Sequence, residues 1–128
     1  MKHITLLFIA CFALISCSSQ SKEFSIIGKW KEIEYHGSDG SNSFVQEIDN
    51  GRTFVFEKSK KVIVIKDGFK VTGNFQLKGD SLKITLQNEV TFYQLNYSND
   101  GNLSLSPRTE DFEIICDEGC TFVFKKTK

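Results

Sequence analysis

Apolar and polar residues trade places one by one along most of this chain. In Phe69–Lys78, FKVTGNFQLK, the residues Phe69, Val71, Gly73, Phe75 and Leu77 fall on one face. Lys70, Thr72, Asn74, Gln76 and Lys78 fall on the other. A period of two is the mark of a half-buried strand. Leu82, Ile84 and Leu86 continue it in SLKITLQ. Gly79-Asp80 separates these two segments, and Asp67-Gly68 separates KVIVIK from Phe69. Both pairs have the composition of a two-residue hairpin turn. Asn88-Glu89 and the SNDGN of Ser98–Asn102 punctuate the next two crossings.

The pattern predicts nine strands: Gly28–Tyr35, Phe44–Ile48, Thr53–Glu57, Val62–Lys66, Phe69–Lys78, Leu82–Gln87, Thr91–Ser98, Leu103–Ser106 and Thr121–Lys125. Phe112–Ile115 is a further candidate, leading into CDEGC. In the first strand Trp30, Glu32 and Glu34 share one phase while Ile33 and Tyr35 take the other, and a bulge near Lys31 would reconcile them. No ten-residue stretch has helical spacing with caps. Short turns force antiparallel neighbours, and that many strands leave bare edges unless the sheet closes. The expected fold is therefore all-β, an antiparallel up-and-down meander closed into a barrel of eight or nine strands. A two-sheet sandwich is the alternative.

The start of the chain follows a different pattern. After Met1-Lys2-His3 comes a largely apolar run of twelve residues, ITLLFIACFALI. As a helix they span about 18 Å, short of a bilayer core of about 30 Å. A basic start, a short apolar run and then small residues make a secretory signal peptide over residues 1–16. Leu14-Ile15-Ser16-Cys17 resembles the bacterial lipobox. That resemblance implies cleavage before Cys17, a thioether-borne diacylglycerol on its sulfur and an acylated amine, with palmitate-type chains as the membrane anchor. Residues 17–24 then comprise the lipidated cysteine and a short tether, whose polar part spans roughly 20 Å, and residues 25–128 form the folded domain. Ser18 after the cysteine favours, by analogy, the outer membrane of the cell envelope.

Of 128 residues, processing leaves 112, enough for one domain. The mature chain has 15 basic and 16 acidic side chains, which speaks against a nucleic-acid partner. Cys116 and Cys120 are then the two remaining unmodified cysteines. Export puts them in an oxidising compartment, where a disulfide across the Asp117–Gly119 turn is expected. Free thiols and a metal site are the alternatives. His36, the mature chain's single histidine, offers little towards a four-ligand set.

Ile27-Gly28-Lys29-Trp30 carries a second resemblance. A Gly-x-Trp first strand followed by a meander resembles the lipocalin-like barrels, closest to the small lipocalin-like lipoproteins of Bacteroidota-type bacteria. TFVFEKSKKV at 53–62 and TFVFKK at 121–126 match the middle hairpin and last strand of that family. The resemblance implies that Trp30 plugs one barrel end, with Lys125, Lys126 or Arg108 as a cation over its ring. The family's Thr-Asp-Tyr loop is absent, and no helix follows the last strand.

Candidate chemistry adds little. His36 lies in YHGSDGSN, read as a loop, with serines nearby. Glu32 and Glu34 on one strand face would stand about 7 Å apart, within the range of glycosidase carboxylates. Surface glutamates are the simpler reading, and no catalytic residue, cofactor or metal is expected. The aromatics Phe54, Phe56, Phe75, Phe92, Tyr93 and Phe122 are the candidate lining of a mostly filled interior with a shallow mouth. The loops at 36–43 and 107–111 would form its rim. The expected function is binding of a small apolar ligand. The alternative is a filled barrel that engages another envelope protein as an inhibitor or immunity lipoprotein.

Overall fold

The computed structural model describes residues 24–116 and 119–128. The signal segment and the lipidation candidate Cys17 lie outside the described residues. The strands are β1 (Gly28–Ser38), β2 (Ser43–Glu47), β3 (Thr53–Phe56), β4 (Lys61–Lys66), β5 (Phe69–Lys78), β6 (Ser81–Leu86), β7 (Glu89–Tyr97), β8 (Leu103–Arg108) and β9 (Cys120–Thr127). Each neighbouring pair is antiparallel, in the order β2-β1-β3-β4-β5-β6-β7-β8-β9. The last strand returns to the first, from Lys29↔Thr127 to Gly37↔Cys120, and closes the sheet. Eight strands make the wall. The ninth, β2, continues the line of β3 along the outer half of β1 and pairs with no other strand. The closed barrel, rather than the sandwich, is what this sequence builds, because closure removes the two edges of the wall.

Local chemistry accounts for the turns. Asp67 (φ 50°) and Gly68 (φ 81°) are both left-handed, as a tight hairpin with the strands' own twist requires. One crossing differs from expectation. Leu86 pairs with Glu89, so the turn is Gln87–Asn88, one residue earlier than Asn88-Glu89. Either turn keeps Leu86 and Thr91 on the inner face, so alternation alone did not distinguish them. Phe112–Ile115 forms no strand, contributing a single bridge between Ile114 and Arg108.

Two departures from regularity shape the wall. The β1–β9 register shifts between Glu32 and Glu34, leaving Ile33 as the extra residue of a bulge. The bulge lies just beyond Lys31, and it lets Trp30 and Glu32 before it and Tyr35 after it all face inward. In β5, a Cβ on Gly73 would collide with the carbonyl of Thr85 across the sheet. The missing side chain lets β5 and β6 approach where the wall bends.

The barrel has two unlike ends. At one, the entering segment Phe24–Ile27 lies against the core: Ile26 is buried, and the indole Nε1 of Trp30 donates to its carbonyl at 2.8 Å. Phe24 stacks on Tyr97 with ring centroids 4.4 Å apart. Trp30, Phe56, Phe75, Leu82, Leu103 and Phe124 fill this closed half and are almost wholly shielded from solvent. The other end is surrounded by the β1–β2 hairpin, the β4–β5 and β6–β7 turns and the β8–β9 loop.

Candidate functional site

Arg52, Phe54 and Phe56 sit at alternate positions on the segment that enters β3, so their side chains share the inner face. Arg52 stands nearest the open end. Its Nε donates to Oε2 of Glu32 at 2.8 Å and its Nη2 to Oε1 at 3.3 Å. Its backbone N–H donates to the same Oε2 at 3.1 Å. In return the Glu32 N–H donates to the Arg52 carbonyl at 2.8 Å. Gly51 makes this approach possible, because a Cβ there would strike the Glu32 backbone carbonyl.

The pair is desolvated: 6% of the Glu32 side chain and 24% of the Arg52 side chain remain accessible. The guanidinium carbon lies 4.8 Å from the ring centre of Phe122, 5.4 Å from Phe54 and 5.9 Å from Phe124, so the cation rests on three aromatic rings. Burial opposes its charge. The Glu32 hydrogen bonds and attraction, with a smaller pull from Tyr93, outweigh that and raise the Arg52 pKa above its ordinary value. Arg52 is thus a permanent, aimed cation inside the mouth.

Beside it opens a cavity of ≈ 260 Å³. Phe54, Val64, Ile84 and Leu86 form its apolar walls, and Arg52, Glu89, Thr91 and Tyr93 supply polar groups. Pockets for drug-sized ligands run from about 300 Å³ upward, so this one suits a compact molecule. An apolar body against the walls and a hydrogen-bond acceptor toward the guanidinium match the lining.

The aromatics expected to line the mouth separate into four groups. Phe54 and Tyr93 line the cavity. Phe122 lies under Arg52 and packs on Tyr35 at 5.2 Å. Phe56 and Phe75 do not reach it: they meet edge to face at 5.0 Å within the closed half. Phe92 is also corrected. Since Tyr93 points inward, strand alternation turns Phe92 outward, against Phe112 at 5.6 Å and under Lys83.

Trp30 is 1% exposed at the closed end, and Lys126 is the cation over its ring, with Nζ 5.5 Å from the ring centre. Lys125 instead pairs across the sheet with Lys31, and Arg108 donates to the Pro107 carbonyl on β8. Cys116 and Cys120 are bonded, with Cα atoms 5.7 Å apart, and brace the β8–β9 loop at the open end. His36 is on β1 rather than in a loop, and its Nε2 meets Oε2 of Glu34 at 2.8 Å on the outer face. The bulge at Ile33 puts Glu34 outside and Glu32 inside, so these two carboxylates share no site.

Arg52 and the burial of Glu32 escaped the sequence reading. The signal was present: Glu32 falls in phase with Trp30, and Arg52 with Phe54 and Phe56. An inward carboxylate and an inward guanidinium call for each other.

The fold is that of the lipocalin-like barrels, and comparison bears on the fold alone. An uncharacterized protein from Bacteroides eggerthii superposes with a TM-score of 0.57 at 20% identity, covering 80% of this chain and 100% of that one. A lipocalin-like protein from Bacteroides uniformis gives 0.53 at 21% identity, covering 79% and 97%. The sequence matches no family model and no curated protein.

Proposed function

We propose that this protein is a membrane-anchored binding module that holds a small, largely apolar molecule in the mouth of a lipocalin-like barrel. The observation that carries the reading is the ≈ 260 Å³ cavity beside Arg52, walled by Phe54, Val64, Ile84 and Leu86. A pocket with apolar walls and few, fixed polar groups is the usual form of a small-ligand site. The lipobox-like Leu14-Ile15-Ser16-Cys17 supports the anchor, an acylated Cys17, and Ser18 after it favours, by analogy, the outer membrane. The first described residues, Phe24–Ile27, lie at the closed end, at the pole opposite the mouth.

Native mass spectrometry of the protein purified from its own host tests both parts. The expected spectrum shows a chain beginning at an acylated Cys17 and a co-purifying small molecule, which Val64→Phe removes by filling the cavity. A chain beginning at Met1 with a free thiol at Cys17 would refute the anchor. An empty cavity, together with no displacement of a hydrophobic dye by any apolar compound, would refute the ligand.

A second reading rests on the rim. Phe44, Val45, Phe69, Val90, Ile114 and Ile115 are large, exposed and all near the open end, and β2 has an unpaired edge. Such a rim suits docking of another envelope protein. Capture of a defined protein partner, lost on Val45→Asp with the cavity empty, would favour this reading over the first.

A further inference from the structure

The chain is nearly neutral overall, yet its charges are sorted along the barrel axis. The strand pairings place the β3–β4 turn, the end of β5 and the end of β9 at the closed pole. Lys58, Lys60 and Lys61 lie on that turn or beside it, Lys78 ends β5, Lys126 lies near the end of β9 and Lys128 follows it. All six are exposed. Against them stand three acidic residues at this pole, Glu57, Asp80 and Asp100. The open pole is the reverse: Asp39, Glu47, Asp49, Asp67 and Glu89 lie there, with Glu110, Asp111 and Glu113 in the adjoining loop, against Lys66, Lys70 and Arg108.

The lysines of the closed pole are not spent on partners. Among the described residues the close carboxylate contacts are Glu34 with His36 and Glu32 with Arg52, neither of them at this end. Two of the ammonium groups are instead held over aromatic rings: Lys60 lies 5.6 Å from the Phe75 ring centre and Lys126 lies 5.5 Å from that of Trp30. Rings this deeply buried fix the cations at the pole rather than letting them fold back along the wall. Beside them the Phe24–Tyr97 stack leaves Tyr97 47% exposed, a residue suited to the headgroup region of a bilayer. The chain reaches the fold at this same pole.

From this arrangement we infer that the closed pole is a basic platform that seats on anionic lipid headgroups. Unpaired lysines meet phosphate, Tyr97 enters the interface, and the acidic, ligand-accepting mouth is held away from the membrane by repulsion from the same surface. The inference rests on the anchored reading for its setting, but the contact itself needs no acyl chain. Polybasic surfaces bind anionic membranes through the summed attraction of their lysines, and salt screens that attraction.

The test uses the chain from Ser18 onward, which lacks lipid and keeps the whole closed barrel. It is expected to sediment with vesicles of phosphatidylethanolamine and phosphatidylglycerol, to stay in solution with phosphatidylcholine alone, and to be released by high salt. The triple variant Lys58→Glu, Lys61→Glu, Lys78→Glu should weaken binding roughly a hundredfold. Lys66→Glu with Lys70→Glu, at the other pole, should leave it unchanged. No sedimentation with anionic vesicles at low salt, or equal loss from both sets of reversals, would overturn the platform. Because acylation is absent, a failure here leaves the Cys17 anchor standing, and an unmodified Cys17 in the host leaves the platform standing.

Discussion

Glu32 is the side chain on which the mouth turns. It is inside because it falls in phase with Trp30 ahead of the bulge at Ile33, and it is tolerated there because both its oxygens are met by Arg52. Removing one member of a buried pair leaves an uncompensated charge. Glu32→Ala should therefore lower stability by about 3 kcal/mol, read as a shifted urea midpoint with an unchanged slope. The double variant Glu32→Leu, Arg52→Met should recover most of that loss, since well-packed apolar replacements remove both desolvation penalties. A single variant as stable as the parent would show that water, rather than Glu32, balances the guanidinium. Both residues were readable as inward by phase, but alternation names a face and never a partner. The sequence separation of 20 between Glu32 and Arg52 closes only when β3 lies beside β1.

Among the elements, the β1–β2 hairpin stands apart because all five residues of β2 are exposed and β2 adds nothing to the wall. Its order depends on the turn. Oδ1 of Asp39 accepts from the N–H of Asn42 at 2.7 Å and of Ser41 at 2.9 Å. These bonds, that from Asn42 foremost, hold the Asp39 carboxyl below its ordinary value of 3.8. A depressed folded pKa means the support is complete above the unfolded value and is lost as pH falls through the folded one. Amide shifts of Ser41 and Asn42 should accordingly move in strong acid, below pH 3.8, and Asp39→Ala should abolish that movement. Shifts that ignore both the acid and the substitution would mean that the backbone bond from the Asp39 N–H to the Asn42 carbonyl alone holds the turn. The strand here was legible from Phe44–Ile48; its position outside the barrel wall was not, since an exposed strand and a wall strand share a two-residue period.

At the scale of the molecule, the Cys116–Cys120 bond joins the β8–β9 loop to the strand that closes the barrel. So short a loop is expected to gain about 2 kcal/mol from the bond in the chain-entropy model. Cys116→Ser with Cys120→Ser should lower the midpoint of thermal unfolding accordingly while leaving the far-ultraviolet spectrum of the barrel intact. An unchanged midpoint would assign the pair no structural weight. Much of this architecture was present in the linear sequence. Period-two alternation, Asp67-Gly68, Gly79-Asp80 and the Gly28-Lys29-Trp30 start are local features, and local features suffice to fix strands, tight turns and the antiparallel order of neighbours. Closure of β9 onto β1, the meeting of Glu32 with Arg52 and the exclusion of Phe56, Phe75 and Phe92 from the cavity were decided in three dimensions. So was the polarity of charge. Consecutive strands run in opposite directions, so residues separated by long stretches of chain gather at one pole, and no window of sequence contains that arrangement.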